Sequence, residues 1–173
     1  CKALKPSELA EDAFRLEIGP LGKQIGRQDH YAAAFGGLKH YGFLGGANVM
    51  ITSFLLEDRL KKESKNLLLL NTFQEKRFFE EIFSEIHDPK NVERTEELLN
   101  ILASLAHKGK YQLMREDYCR FFGMMNDNWI AKRGLSEKVS NEKIDAAYFN
   151  VMDAGASAAK LLGSGGGGYI LAW

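Results

Sequence analysis

One stretch, KLLGSGGGGY at residues 160–169, limits what this chain can fold into more than any other. A flexible linker sits between polar, poorly ordered flanks. Here the glycines follow Ala158, Ala159, Leu161 and Leu162, which read as the end of a helix over about residues 141–162. They lead straight into YILAW, an aromatic and aliphatic run with strand character. Glycines held between two ordered elements indicate positive φ and close backbone approach. Their bare N–H groups suit a concave anion nest, and a tight turn without a ligand is the simpler alternative.

The rest of the chain reads as helices with a smaller share of strand. Ser7 is a candidate N-cap for a helix to about Glu17, with Leu9, Ala10, Ala13, Phe14 and Leu16 inward and Gly19-Pro20 ending it. A glycine-punctuated segment leads to a short alanine-rich helix that closes on Gly36-Gly37. Residues 38–43 and 48–56 read as strands around a Gly45-Gly46 turn, 58–66 as a solvated link, and LLLLNTF, residues 67–73, as a buried strand. From residue 74 to 132 the spacing predicts three helices. Phe78, Phe79, Ile82, Phe83 and Ile86 line the first, which Asp88-Pro89 breaks. Val92, Leu98, Leu99, Leu102 and Leu105 line the second, to Lys108-Gly109. Tyr111, Met114, Tyr118, Phe121, Phe122 and Met125 line the third, on to Trp129. GLSEKVSNEK, residues 134–143, reads as a loop. Sheet and long helices without strict alternation give an α+β chain or a two-layer α/β domain.

Bulk numbers exclude several classes. Lys+Arg and Asp+Glu both number 23, so the net charge is zero and nothing advertises a nucleic-acid or membrane-surface partner. Leu67–Leu70 is far short of a spanning helix. Cys1 and Cys119 are too few for a disulfide framework or a zinc site, and no export signal is visible, so a cytoplasmic protein is expected. The start without Met and the apolar end at YILAW read as a piece of a longer protein.

A second stretch carries chemistry. In GRQDHYAAAFGG, residues 26–37, Asp29 stands at a helix start behind a glycine-bearing loop. Asp is a common N-cap. Held rigidly over a pocket, it is also a carboxylate that orients or deprotonates a hydroxyl.

Together these segments resemble the GHMP kinases. AGASAAKLLGSGGGGYILAW is similar to the third conserved motif of that superfamily, and GRQDHYAAAFGGLKHYGF to the segment bearing its catalytic aspartate. The wording is nearest to the D-glycero-D-manno-heptose phosphate kinases, and NWIAKRGLSEKVSNEKID, residues 128–145, matches further signposts of that branch. The resemblance implies the end of the superfamily's N-terminal domain over residues 1–56 and most of its ferredoxin-like C-terminal domain over 57–173. It implies transfer of the ATP γ-phosphoryl group, with Mg²⁺, to a hydroxyl of a heptose phosphate. Asp29 then stands where the base does, Glu17 where a Mg²⁺ ligand does, and Arg27, Gln28 and Tyr31 beside the sugar. Gly163, Ser164, Gly165, Gly166, Gly167 and Gly168 match the loop that supports the phosphate site.

Departures qualify the match. His30 replaces a glutamine, Arg27 a lysine, and Ala158-Ala159 a glycine pair expected to lie in the helix. NTFQEKRFF lacks the Thr-Gly expected after the central strand. The superfamily's Pro-x-x-x-Gly-Leu-Gly-Ser-Ser phosphate loop, which receives ATP at a helix N-terminus, is not in these residues. Two alternatives stay open: a kinase of another sugar, such as a hexose or fucose, and a non-catalytic domain that kept the fold. Neither composition nor motif sets the oligomeric state.

Overall fold

A computed structural model describes residues 3–46, 48–54, 61–74 and 79–173. The chain divides into two compact units, residues 1–55 and 56–173, and each is taken by itself.

In the first unit α1 (Pro6–Ile18) packs on α2 (Gln28–Phe35), followed by the antiparallel hairpin β1 (Lys39–Phe43) and β2 (Val49–Ser53). The N-cap of α1 is Lys5, not Ser7, because Pro6 is at the first helical position, where its missing N–H costs nothing. The Glu8 carboxylate accepts the Lys5 N–H at 2.8 Å. Ala10 and Phe14 are buried as the periodicity requires, whereas Leu9 and Leu16 are 50% and 60% exposed, so the inward face is narrower than expected. Tyr31 is buried on α2 among the rings of Phe35, Tyr41 and Phe43. Residues 55–56, read as the end of the second strand, lie outside the described residues.

The second unit is a three-stranded antiparallel sheet with helices on it. Strands β3 (Leu68–Asn71), β4 (Ala159–Leu161) and β5 (Tyr169–Ala172) lie in the order β3-β5-β4. The helices are α3 (Phe79–Ile86), α4 (Val92–Met114), α5 (Tyr118–Arg133) and α6 (Glu142–Asp153). Register puts Leu161, Ile170 and Leu70 in one row and Ala159, Ala172 and Leu68 in the next, on one sheet face. That face packs on Ile82, Trp129, Val139 and Ile144. Leu171, Trp173 and Ala158 belong to the opposite face and meet Phe122 and Met125 of α5. Alternation along each strand is what allows one short sheet to serve two cores. β3 is an edge strand with Leu68 and Leu69 exposed, and it is not the buried strand its leucines suggested.

Two helix boundaries differ from the sequence reading for identifiable reasons. Gly109 does not stop a helix; α4 continues through it to Met114. A Cβ there would lie 3.3 Å from the Phe121 ring, so this glycine lets α5 approach α4. The break comes at Glu116, with φ +60. The final helix ends at Asp153, so residues 159–161 form a strand and Ala158-Ala159 are not helical. The stop is a Schellman motif: Gly155 has φ +106, its N–H donates to Met152 O, and Ala156 N–H donates to Val151 O. The glycine run is therefore the loop of a β-hairpin between β4 and β5.

The outer edge of β4 faces no other strand among the described residues, so its backbone groups need partners. Side chains of α5 provide them. Asn126 accepts from Ala159 N–H at 2.9 Å and donates to Ser157 O at 3.2 Å. Lys132 Nζ donates to Leu161 O at 3.2 Å and to Gly163 O.

Candidate functional site

The glycine loop is an ordered, anchored turn. Leu162 N–H donates to Tyr169 O at 2.8 Å and closes the hairpin ladder. Beyond it, the loop is tied at three places. Lys132 takes the Gly163 carbonyl at the entry. Gly166 N–H donates to Val139 O at 2.9 Å in the middle. The N–H and hydroxyl of Thr72 both reach Gly168 O at 2.9 Å at the exit. Gly165, Gly166 and Gly167 are buried. Close approach is literal at two of them. A Cβ on Gly165 would lie 2.8 Å from Val139 Cα, and one on Gly167 would overlap the Gln74 carbonyl. NTFQ thus meets the loop through Thr72 and the Gln74 backbone, although the expected Thr-Gly is absent.

Lys132 and Lys160 sit at the base of this loop. Lys160 Nζ donates to Asn128 Oδ1, one helical turn before Lys132 on α5. Burial, and then the charge of Lys160, pull the Lys132 ammonium down to about 8. Burial lowers Lys160 as well. Arg133, next along, faces elsewhere: it pairs with Asp145 at 2.8 Å and stacks over Trp129 at 5.8 Å. Asp145 also accepts from Ser140 at 2.6 Å, which fixes the 134–141 loop to α6.

In the first unit the candidate residues surround the start of α2. Asp29 is exposed at the second helical position and does not act as the N-cap, which is Arg27 without a capping side chain. The partial positive charge of the helix start favours a carboxylate at this position. Gln28 is exposed beside it. Arg27 and Tyr31 converge on Glu11: Arg27 Nε at 3.0 Å and the Tyr31 hydroxyl at 2.9 Å share one carboxylate oxygen. Arg27 also stacks over Phe14 at 4.2 Å. Burial first, and the Glu11 carboxylate second, raise the Tyr31 hydroxyl above its ordinary 10. Tyr31 is spent inside the unit, while Arg27 is partly exposed.

Glu17, in the last turn of α1, meets Lys23 Nζ at 3.2 Å and His30 Nε2 at 3.8 Å. His30 packs edge-on to Phe14, and its Nδ1 is buried with no partner among the described residues. For a Mg²⁺ ion, these residues supply one carboxylate. No group of three or more His, Cys, Asp or Glu side chains gathers among the described residues. To hold a metal, Glu17 would have to exchange its lysine and histidine partners for it.

An apolar groove of about 580 Å³ lies between Leu68, Leu70 and Ile170 of the sheet and Ala147 and Val151 of α6, with Ala154 just past the helix end. None of the residues lining it carries a titratable group. No helix among the described residues is long and apolar enough to cross a membrane.

The sequence reading missed Glu11, Asn126, Lys132 and Val139. Asn128 and Lys132 do carry a signal, being four apart on one helix within a recognised block. What they reach across to on β4 has no sequence signature.

Known proteins agree with this reading of the motifs. The chain is 28% identical over 163 residues to the D-glycero-alpha-D-manno-heptose 7-phosphate kinase of Campylobacter jejuni, covering 94% of this chain and 48% of that protein. It superposes on a D-glycero-D-manno-heptose 1-phosphate kinase from Bacteroides thetaiotaomicron with a TM-score of 0.70 at 23% identity, over 99% of this chain and 45% of that one. With the Leishmania major mevalonate kinase in complex with R-mevalonate the TM-score is 0.71 at 21% identity, over 98% and 49%. No protein-family model matches the sequence. The chain spans about half the length of the relatives it matches, and it has the mixed helix-and-sheet fold of these kinases.

Proposed function

We propose that this chain is part of a GHMP-type kinase that moves the γ-phosphoryl group of ATP to a hydroxyl of a sugar phosphate, with D-glycero-D-manno-heptose 7-phosphate as acceptor. The observation that carries the proposal is the similarity to a heptose 7-phosphate kinase along 94% of the chain. Residues 1–56 are then the end of the N-terminal domain and 57–173 most of the C-terminal domain.

Asp29 is the group that receives or orients the acceptor hydroxyl. Its exposure and its place at a helix start leave the carboxylate free to accept that proton. Gln28 and the exposed side of Arg27 flank it, and the Arg27 charge suits a phosphorylated sugar. Glu11 and Tyr31 hold Arg27 in place. Glu17 contributes one carboxylate to Mg²⁺, which when bound neutralises charge on the phosphates. The 163–168 hairpin loop is held rigid by its anchors, as the support of a bound phosphate requires.

The test is an ADP-release assay of the full-length protein against a panel of sugar phosphates, hexoses, fucose and mevalonate. Heptose 7-phosphate is expected to give the highest kcat/KM. Asp29→Asn is expected to lower the rate by about 10² or more at unchanged stability. A loss under about tenfold, roughly 1.4 kcal/mol of barrier, overturns the role given to Asp29. No turnover of any phosphoryl acceptor by the folded protein overturns the kinase reading itself.

A further inference from the structure

We propose that Lys132 is a positioning residue for the glycine loop. From α5 its ammonium group ties the carbonyls of Leu161 and Gly163, and so fixes where the loop leaves the sheet.

Three anchors hold the loop. The middle and the exit are held by neutral partners, the Val139 carbonyl and Thr72. Among the described residues, the entry is held by a charged group alone. Gly163 lies just beyond the last ladder bond, Leu162 to Tyr169, so no strand partner controls its peptide plane. Gly163 has φ +72, and a Cβ there would meet nothing within 4 Å, so packing does not control it either. Lys132 is what spans the end of the strand and the first loop residue.

The cost of the arrangement points the same way. Burying an ammonium without a carboxylate is expensive, and apolar replacements of buried charges are often neutral or stabilising. Neither Lys132 nor Lys160 has a carboxylate partner among the described residues, and the charge of Lys160 opposes that of Lys132. A side chain that only filled space between α5 and β4 would be better as Met or Leu. An ammonium aimed at two carbonyls adds direction, because ion–dipole bonds fix the orientation of the peptides that accept them. Lys132 lies on the same helix as Asn126, which holds Ala159 and Ser157, so α5 sets both the strand edge and the loop entry.

The functional part of this inference rests on the reading of the loop as the substrate-side edge of a kinase. The structural part does not, and the experiment separates them. Hydrogen exchange of the full-length protein is followed for the loop amides (residues 163–168), for β5 and for α6. Lys132→Met is expected to speed loop exchange about tenfold or more while β5 and α6 change less than twofold. Lys132→Arg, which restores a cation able to reach two carbonyls, is expected to recover most of the protection. In the kinase assay kcat/KM should fall with Lys132→Met and return in part with Lys132→Arg. If Lys132→Met does not fold, Lys132→Gln is judged by the same localisation. Loop exchange within twofold of wild type, or an equal acceleration across the whole unit, overturns the proposal. So does a loss of activity with undisturbed loop exchange, which would place Lys132 on the substrate directly. A localised exchange change in a protein with no kinase activity would leave the positioning role standing and overturn only the reading of the function.

Discussion

Replacing Gly165 by alanine tests the claim that the glycine run is a close-packed hairpin loop. Gly165 has φ +123, and a Cβ there would lie 2.8 Å from Val139 Cα and 3.0 Å from Val139 O. Ordinary carbon contacts are about 3.5–4.0 Å, so the two backbones must separate by about 1 Å. Both sides are backbone, and no rotamer change relieves the contact. A non-glycine residue in such a conformation costs about 1–3 kcal/mol. Forced separation of a packed contact costs about 1–3 kcal/mol more. It also stretches the Gly166 to Val139 hydrogen bond, worth about 1 kcal/mol. The expected loss is about 3–7 kcal/mol, a large share of a typical domain's stability. Gly163→Ala is the internal control: its φ of +72 is also left-handed, but a Cβ there meets nothing within 4 Å. Its expected cost is about 1 kcal/mol. Urea unfolding of the full-length proteins, followed by fluorescence, gives both values from their midpoints. If the two variants fall within about 0.5 kcal/mol of each other, close approach to Val139 is not what the glycine is for.

Three further outcomes follow from the same geometry. Lys132 stands at about 8, below its ordinary 10.5, so between these pH values the unfolded chain binds more protons than the folded one. The burial penalty is full below about pH 8, and stability contributed at this position rises with pH through the window. The stability of wild type relative to Lys132→Met should therefore increase from pH 8 to 10.5 by on the order of 3 kcal/mol, and a flat difference contradicts it. Asn126→Ala leaves the Ala159 N–H and Ser157 carbonyl without their partner and is expected to cost about 1–3 kcal/mol in denaturant unfolding. Tyr31→Phe removes the hydroxyl from Glu11 while keeping the ring cluster; a loss of about 1 kcal/mol is expected, and a gain would mean the Glu11 bond is not stabilising.

Much of the fold was legible because it rests on local rules. The helix-breaking Asp88-Pro89, the alanine-rich α2, and the inward Ile82 of α3 and Phe122, Met125 and Trp129 of α5 follow from spacing and from single residues with strong preferences, whereas Tyr111 and Met114, read with the α5 face, are exposed at the end of α4. The boundary errors share one cause. Gly109 and Gly155 are both glycines in helical surroundings, yet one is a packing site against Phe121 and the other a left-handed helix stop. Only the neighbour in space, or the lack of one, distinguishes these cases. The same limit hid the edge of β4. A strand of three residues, AKL, is too short to show alternation, and its existence depends on pairing with β5 eleven residues later in register.

The sequence by itself determined that residues 165–168 require backbone conformations open to glycine, that Asp29 lies in the first turn of a helix, and which class of kinases the motif blocks resemble. These are properties of residue type and order. Tertiary structure decided that the glycine run turns between two strands, that Tyr31 faces Glu11, and that Lys132 reaches the loop from a helix thirty residues away. Such assignments depend on long-range hydrogen bonds, and whether a buried donor finds its acceptor is settled only when distant elements pack.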